Sequence, residues 1–146
     1  MSLPAVYFVR LERQEKALHV GRLTEKHFNR GQRILIVVAD KEMAMTLDRY
    51  LWTWKKDSFL PHVLIKSANE TVNEAIVIST LEHNPNNADV LMCACPCAPA
   101  FFKGFQSVYD FAETYDTQLA DAARERFRLY RQHGFDPQME TSAEGA

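Results

Sequence analysis

The sequence predicts an α/β fold: a single-domain sandwich in which helices flank a largely parallel central sheet. Short runs rich in apolar, β-branched and aromatic residues alternate along the chain with stretches of helical periodicity. One run, residues 34–39 (ILIVVA), is apolar at every position, as in strands that are buried on both faces. The 146 residues are enough for one core, and neither a linker nor an internal repeat divides them.

The first half of the chain has the clearer elements. Ala5–Leu11 is expected to form the first strand, and residues 14–30 a helix that stops at Gly31. Residues 34–39 form the next strand, after which Asp40 is a suitable N-cap for a second helix. Apolar residues recur on one face of that helix: Met43, Leu47, Leu51 and Trp54.

The middle of the chain is less regular. Strands are expected at residues 63–66, 75–79 and 90–95, with a turn-rich segment before the last of these. A short helix is expected at residues 100–105. Residues 107–111 alternate in polarity like a strand, which we interpret as the last strand of the sheet.

A final helix is expected from about Asp116 to His133, and Gly134 ends it. Residues 1–138 then form one domain, and residues 139–146 a flexible C-terminal tail.

Charge and hydropathy limit the class of protein. The formal net charge of −2 is unlike that of a protein that binds nucleic acid without sequence preference, which needs a large positive surface. No apolar run is long enough to span a membrane, and the first residues do not resemble a signal peptide. We therefore expect a cytoplasmic protein.

Motifs of catalysis and nucleotide binding are missing from the sequence. No GxGxxG follows the first strand, no GxxxxGK[ST] is present, and the chain has only five glycines. There is no GxSxG elbow, and the five histidines are scattered without HExxH spacing. We expect no cofactor, no metal and no catalytic residues. A small nucleotide-binding enzyme of Rossmann-like fold is the alternative.

All three cysteines lie in one segment, Cys93-Ala94-Cys95-Pro96-Cys97. A structural zinc usually has four ligands, and neither a CxxC pair nor a histidine pair is nearby. An odd number of cysteines is also unlike a secreted disulfide framework. We expect inert, buried thiols, with Cys93 and Cys95 on the same face of a strand. A redox or metal role is the less favoured interpretation.

The final helix carries three arginines, Arg124, Arg128 and Arg131, which we call the arginine stripe. It is displaced from the face expected to pack on the sheet, which is formed by Leu119, Ala123, Phe127 and Tyr130. A guanidinium group can bond both oxygens of a carboxylate, so the stripe suits an acidic partner. Spacing alone slightly favours a solvated face paired with acidic neighbours, and contact with nucleic-acid phosphates is a third interpretation.

A second group of residues also suits a protein partner. Trp54 continues the apolar face of the second helix, whereas Trp52 lies on a different face and precedes the segment Phe59-Leu60-Pro61-His62. An aromatic residue outside the core face can anchor a docked protein. The other interpretation, equally favoured, is that Trp52 packs beneath Phe59 in a small separate cluster.

Several segments together resemble the chi subunit family of bacterial DNA polymerase III holoenzyme. Their order and spacing match over most of the chain, which makes the combination far more specific than any one piece. The segments are Val6-Tyr7-Phe8, Arg30-Gly31-Gln32-Arg33-Ile34-Leu35-Ile36, Leu47-Asp48, Leu51-Trp52, Ser58-Phe59-Leu60-Pro61-His62, Ala123-Arg124-Glu125-Arg126-Phe127-Arg128-Leu129-Tyr130-Arg131 and Gly134-Phe135.

The resemblance implies a non-catalytic accessory subunit of the clamp loader, with a Rossmann-like fold that has lost nucleotide binding. Such subunits bind the psi subunit and the acidic C-terminal tail of the single-stranded DNA-binding protein, and reach DNA only indirectly. Matching positions imply a tail-binding site of Arg124, Phe127, Arg128, Arg131, Gly134 and Phe135. They imply a psi-binding surface of Trp52, Phe59, Pro61 and His62.

The chain departs from the family pattern in three places. Ala120 stands where family members can carry a lysine, so one basic contact is missing. Phe127 stands where a tyrosine can occur, which removes a hydroxyl group. Residues 71–99 match poorly, and the resemblance gives the cysteines there no role.

Overall fold

The computed structural model describes residues 3–55, 59–67 and 69–140, in which seven strands and three α-helices form. The strands are β1 (Ala5–Leu11), β2 (Ile34–Val37), β3 (His62–Leu64), β4 (Ile76–Ser79), β5 (Val90–Cys93), β6 (Ser107–Glu113) and β7 (Gln138–Glu140). The α-helices are α1 (Lys16–Asn29), α2 (Lys41–Trp52) and α3 (Thr117–Gln132), and a 3-10 helix spans Pro99–Gly104.

The strands form one sheet in the order β3-β4-β2-β5-β6-β1-β7, and all six pairings are parallel. The predicted α/β fold with a largely parallel sheet is therefore confirmed. Since every strand points the same way, the loops that follow the strands gather at one end of the sheet.

Each face of the sheet packs against a different set of helices. Along β2, Ile34 and Ile36 face the core shared with α1 and α2, whereas Leu35 and Val37 face the core shared with α3 and the 3-10 helix. All four of these side chains are buried. The uninterrupted apolar run predicted from the sequence is the result of this burial on both sides.

Polar side chains and glycines set the ends of the helices. The Asp40 carboxylate accepts a hydrogen bond from the Met43 amide at 2.8 Å, which confirms Asp40 as the N-cap of α2. The Asp116 carboxylate caps α3 in the same way, at 3.0 Å from the Leu119 amide. After α3 the chain turns at Gly134, whose φ of 91° favours glycine.

Trp54 lies two residues beyond the end of α2 and still packs against the core, as expected. Its ring lies on Gly21 of α1, where an added Cβ would come within 2.6 Å of the ring. The contact therefore requires a glycine at position 21.

Two expectations near the C-terminus were wrong. Residues 107–111 are not the last strand, because β6 continues to Glu113 and a seventh strand follows α3. Met139 and Glu140, expected in the flexible tail, belong to β7, which pairs with β1. The remaining tail residues, 141–146, lie outside the described part of the chain.

A partly buried ion pair helps to hold β7 in place. Both nitrogens at the end of Arg22 donate to the Glu140 carboxylate, at 3.0 and 3.1 Å. The two side chains are only 19% and 7% exposed, so solvent screens the pair weakly. Glu140 thus attaches the last strand to α1, on the opposite side of the sheet from α3.

The inner face of α3 differs from the expected one. Leu119 is 40% exposed, so its assignment to that face was wrong, whereas Ala123 and Tyr130 are buried as predicted. Arg126 lies on the inner side, and its guanidinium donates two hydrogen bonds of 2.8 Å to the carboxylate of Asp110 on β6. The Tyr130 hydroxyl donates to the same carboxylate at 2.6 Å.

Asp110 is only 2% exposed, so its carboxylate oxygens depend on these donors for hydrogen bonds. The pKa of the Tyr130 hydroxyl is raised by burial and by the neighbouring Asp110 carboxylate. The phenol therefore stays protonated and keeps its role as a donor. Asp110, Arg126 and Tyr130 form one satisfied polar group within an apolar interface, which we call the Asp110 network.

No helix in the described residues is both long and apolar enough to cross a membrane.

A first prediction concerns the Asp110 network. Arg126→Ala should destabilise the protein by about 3–5 kcal/mol, because it leaves a buried carboxylate without its charge partner. Tyr130→Phe, which removes one hydroxyl, should cost only about 1–3 kcal/mol. Urea unfolding measures both, with the exposed Arg128→Ala as the matched arginine control at about 0.5 kcal/mol or less. Equal stability of the Arg126 and Arg128 variants would contradict the role given to Asp110.

A second prediction follows from His27, a buried residue of α1. Its Nδ1 lies 2.6 Å from the Gln32 side-chain oxygen and its Nε2 lies 2.7 Å from the Tyr109 hydroxyl. A carbonyl oxygen only accepts, so we assign the proton to Nδ1, and Nε2 accepts from Tyr109. Burial lowers the pKa of His27, which agrees with a neutral ring.

Because this pKa is lowered, the unfolded chain takes up the proton first, and stability should fall as the pH drops below about 6.5. Urea unfolding at about pH 7.5 and about pH 5.5 should show a smaller loss for His27→Gln than for the parent chain. The exposed His133→Gln should retain the full loss. An identical loss of stability in all three proteins would contradict a lowered pKa of His27.

Candidate functional site

The arginine stripe lies on the outer surface of α3. All three of its members are exposed, as their spacing from the inward-facing residues requires. Arg124 pairs with Asp121 at 2.6 Å, and Arg128 pairs with Glu125. Both pairs are about two-thirds exposed, so each contributes only tenths of a kcal/mol and a ligand can displace it.

Phe127 joins the stripe to the core. The Arg131 guanidinium stacks over the Phe127 ring, 4.7 Å from its centre, and the same ring lies 5.3 Å from that of Phe8 on β1. Phe127 is half-buried, so part of its ring remains available beside the arginines. The stripe therefore has an aromatic surface beside it.

A groove of about 390 Å³ opens next to Arg124, between α3 and the edge of the sheet formed by β1 and β7. It has an apolar floor with polar and charged groups at its margins. Its lining residues are Phe8, Arg10, Ala112, Thr114, Ala120, Ala123, Arg124, Phe127 and Met139. We call it the α3 groove.

Sequence reasoning missed four lining residues of the α3 groove, Arg10, Ala112, Thr114 and Met139. Ala112 and Thr114 lie beyond residue 111, where the strand was expected to end. Arg10 is two positions from the buried Phe8 on β1, and this period of two would have placed both side chains on one face. Met139 gave no usable signal, because β7 is only three residues long and lies where a flexible tail was expected.

The other two tail-site residues implied by the resemblance lie beyond the end of α3. Gly134 is exposed at the turn. Phe135 is 4% exposed and packs against Phe102, with ring centres 5.4 Å apart. In this structure Phe135 is part of the core, so its ring supports the turn from within.

The aromatic residues of the implied psi surface come together at the end of α2. Trp52 is 50% exposed and Phe59 66%, with ring centres 5.6 Å apart. Trp52 also lies over the ring of His62, 4.3 Å away. The rings form a separate cluster, as one of the two sequence interpretations expected, and the cluster is open to solvent. We call Trp52 and Phe59 the aromatic patch.

His62 and Pro61 are less accessible than the aromatic patch. The side chain of His62 is fully buried, with Nδ1 2.6 Å from the Leu60 carbonyl oxygen and Nε2 3.1 Å from the Asp48 carboxylate. The ring thus ties β3 to α2 underneath Trp52. Pro61 is half-buried. Met45 on α2 is a further exposed apolar residue (47%) that the sequence analysis did not single out.

The cysteine segment forms no metal-binding group in the described residues. Cys93 and Cys97 are buried and Cys95 is half-buried, all three as free thiols. Burial raises the pKa of Cys93, and hydrogen bonding to neighbouring thiols, together with burial, raises the pKa values of Cys95 and Cys97. Protonated thiols are poor nucleophiles, in line with the expected inert role. The strand ends at Cys93, so the expectation that it includes Cys95 was wrong.

No group of three or more His, Cys, Asp or Glu side chains is placed to hold a metal ion in the described parts of the chain. A crevice of about 400 Å³ lies between α1 and α2 at the end of the sheet where nucleotides bind in related folds. Its lining is mostly apolar, and its lysine, Lys16, already contacts the Ala94 carbonyl at 2.8 Å and Glu113 at 2.9 Å. Nothing in this crevice resembles a phosphate-binding loop.

Comparison with known proteins gives a consistent result. The family model of the DNA polymerase III chi subunit matches residues 3–138. The DNA polymerase III subunit chi of Pseudomonas aeruginosa is 30% identical over 114 residues, which are 78% of each chain. That of Escherichia coli is 28% identical over 117 residues, which are 80% of this chain and 79% of the relative.

The family match spans every described strand except the end of β7, and includes both the arginine stripe and the aromatic patch. This chain therefore belongs to the family of DNA polymerase III chi subunits.

Proposed function

We propose that this chain is a non-catalytic replication adaptor, which binds the psi subunit of the clamp loader and the acidic C-terminal tail of the single-stranded DNA-binding protein. Membership of the chi family gives it a role as an accessory protein in replication. The observation that best supports tail binding is the pairing of an exposed arginine stripe with an adjacent apolar groove.

The chemistry of the stripe and groove suits an acidic peptide that ends in an apolar residue. Arg124 borders the α3 groove, and Arg128 and Arg131 extend the positive surface along the helix. Arginine binds carboxylates with two parallel hydrogen bonds. The floor around Phe8 and Phe127 offers apolar contact to the last side chain of the peptide.

The aromatic patch is the proposed psi-binding surface. Exposed aromatic side chains are frequent hot spots in protein interfaces, because they bury a large area at a small cost in conformational entropy. Beneath the patch, His62 and its hydrogen bonds to α2 and the preceding loop hold Trp52 in position. Pro61 and His62 thus support the aromatic patch and contribute less exposed surface than Trp52 and Phe59.

The tail-binding proposal predicts opposite effects for two neighbouring substitutions. Arg124→Ala should weaken the binding of a synthetic acidic tail peptide by roughly tenfold, since it removes a charge-assisted hydrogen-bond donor. Asp121→Asn should strengthen binding, because it frees Arg124 and removes a competing negative charge. Fluorescence anisotropy measures both, and rising salt should weaken binding by the parent chain.

No binding of the peptide by the parent chain at low salt would contradict tail binding. So would equal affinities of the parent and Arg124→Ala proteins.

The psi proposal predicts that the two surfaces act separately. Trp52→Ala should weaken psi binding by roughly 30-fold, as expected for an interface hot spot. Binding of the tail peptide should not change, which also shows that the variant is folded. Leu18→Ala is the control, since Leu18 is a comparably exposed apolar residue (42%) on α1.

Calorimetric titration with purified psi gives the affinity. Unchanged psi binding by Trp52→Ala, together with unchanged binding by Phe59→Ala, would refute the surface.

A further inference from the structure

Arg10 is a cation of the α3 groove that lies outside the arginine stripe. On β1, Val6 and Phe8 point toward the core under α3, and Arg10 follows them on the same face. Val6 and Phe8 are buried, whereas the Arg10 side chain is 62% exposed. This face of the sheet is therefore covered by α3 along most of β1 and opens into the groove near the end of the strand.

Arg10 and Arg124 belong to different walls of the groove. Arg10 comes from the sheet and Arg124 from α3. The apolar residues of the floor, which include Phe8 and Phe127, also line the groove. A peptide that occupies the groove would therefore meet a guanidinium group from each wall. Two cations beside an apolar floor are complementary to carboxylates next to an apolar side chain.

The intramolecular partner of Arg10 competes weakly with a ligand. Its guanidinium Nε lies 3.7 Å from the Glu12 carboxylate, beyond hydrogen-bond distance, and the Glu12 side chain is 75% exposed. Exposed pairs of this kind contribute little to stability. The charge of Arg10 is thus available to a carboxylate of better geometry.

We propose that Arg10 is a further binding residue of the α3 groove, which contacts a carboxylate of the acidic peptide from the β1 side. This inference rests on the proposed tail-binding function and assigns it a second anchoring point. The peptide lies between Arg10 and Arg124, with its apolar side chain on the floor between them.

The test is fluorescence anisotropy of an acidic peptide that ends in an apolar residue, at low salt, with the full chain. Arg10→Ala should raise the Kd roughly two- to fivefold, the range of an exposed charge pair, and should reduce the salt dependence of binding. Arg13→Ala is the matched control: it removes the same charge three residues away, from an arginine that is 82% exposed and does not line the groove. It should leave the Kd unchanged.

Two more variants test the position of the charge. Ala120 lines the same groove from α3, so Ala120→Lys in the Arg10→Ala protein should restore most of the lost affinity. Glu12→Gln should lower the Kd, because it removes the competing carboxylate.

The outcomes separate this inference from the function on which it rests. Loss of binding in Arg124→Ala with an unchanged Kd in Arg10→Ala overturns the role of Arg10 and leaves tail binding intact. An equal loss in Arg10→Ala and Arg13→Ala also overturns it, since only the overall charge would then matter. Absence of binding by the parent chain overturns both.

Discussion

The Asp110 network fixes the orientation of α3, and the candidate site depends on that orientation. A carboxylate that is only 2% exposed must be satisfied by donors, and Arg126 and Tyr130 supply them from the inner side of the helix. Successive residues of an α-helix are rotated by about 100°, so Arg124 and Arg128 each lie about 200° from Arg126. Directing Arg126 inward therefore directs these two members of the stripe outward.

The sheet separates the two candidate surfaces. The aromatic patch lies beside β3 at one edge, and the α3 groove lies beside β1 and β7 at the other. The order of the seven strands leaves six spacings of about 4.8 Å between the edge strands, or roughly 30 Å. The aromatic patch adjoins α2 and the α3 groove adjoins α3, and these two helices cover opposite faces of the sheet. This separation leaves room for two partners at once, which the proposed adaptor role requires.

The fold was predictable from the sequence wherever a short run of neighbouring residues determines the local structure. The apolar run of β2 and the N-cap Asp40 are local signals, and the structure confirms both of them. β7 was not predictable from its own residues, because pairing with β1 and the Arg22–Glu140 ion pair stabilise it. The exposed stripe followed from helical spacing. The inward position of Arg126 did not, since its partner Asp110 is sixteen residues away.

The acidic residues among the stripe arginines influence which ligands the surface selects. Asp121 and Glu125 already occupy Arg124 and Arg128 in exposed i,i+3 pairs, each worth only tenths of a kcal/mol. A single dissolved carboxylate gains little by replacing such a partner, because it also loses its own translational freedom. A peptide with several carboxylates loses that freedom once and can replace both partners together. Its apolar end adds contact area in the α3 groove that no isolated anion can use. We therefore expect the proposed site to select a chain of acidic residues with an apolar end, although each of its charges is ordinary.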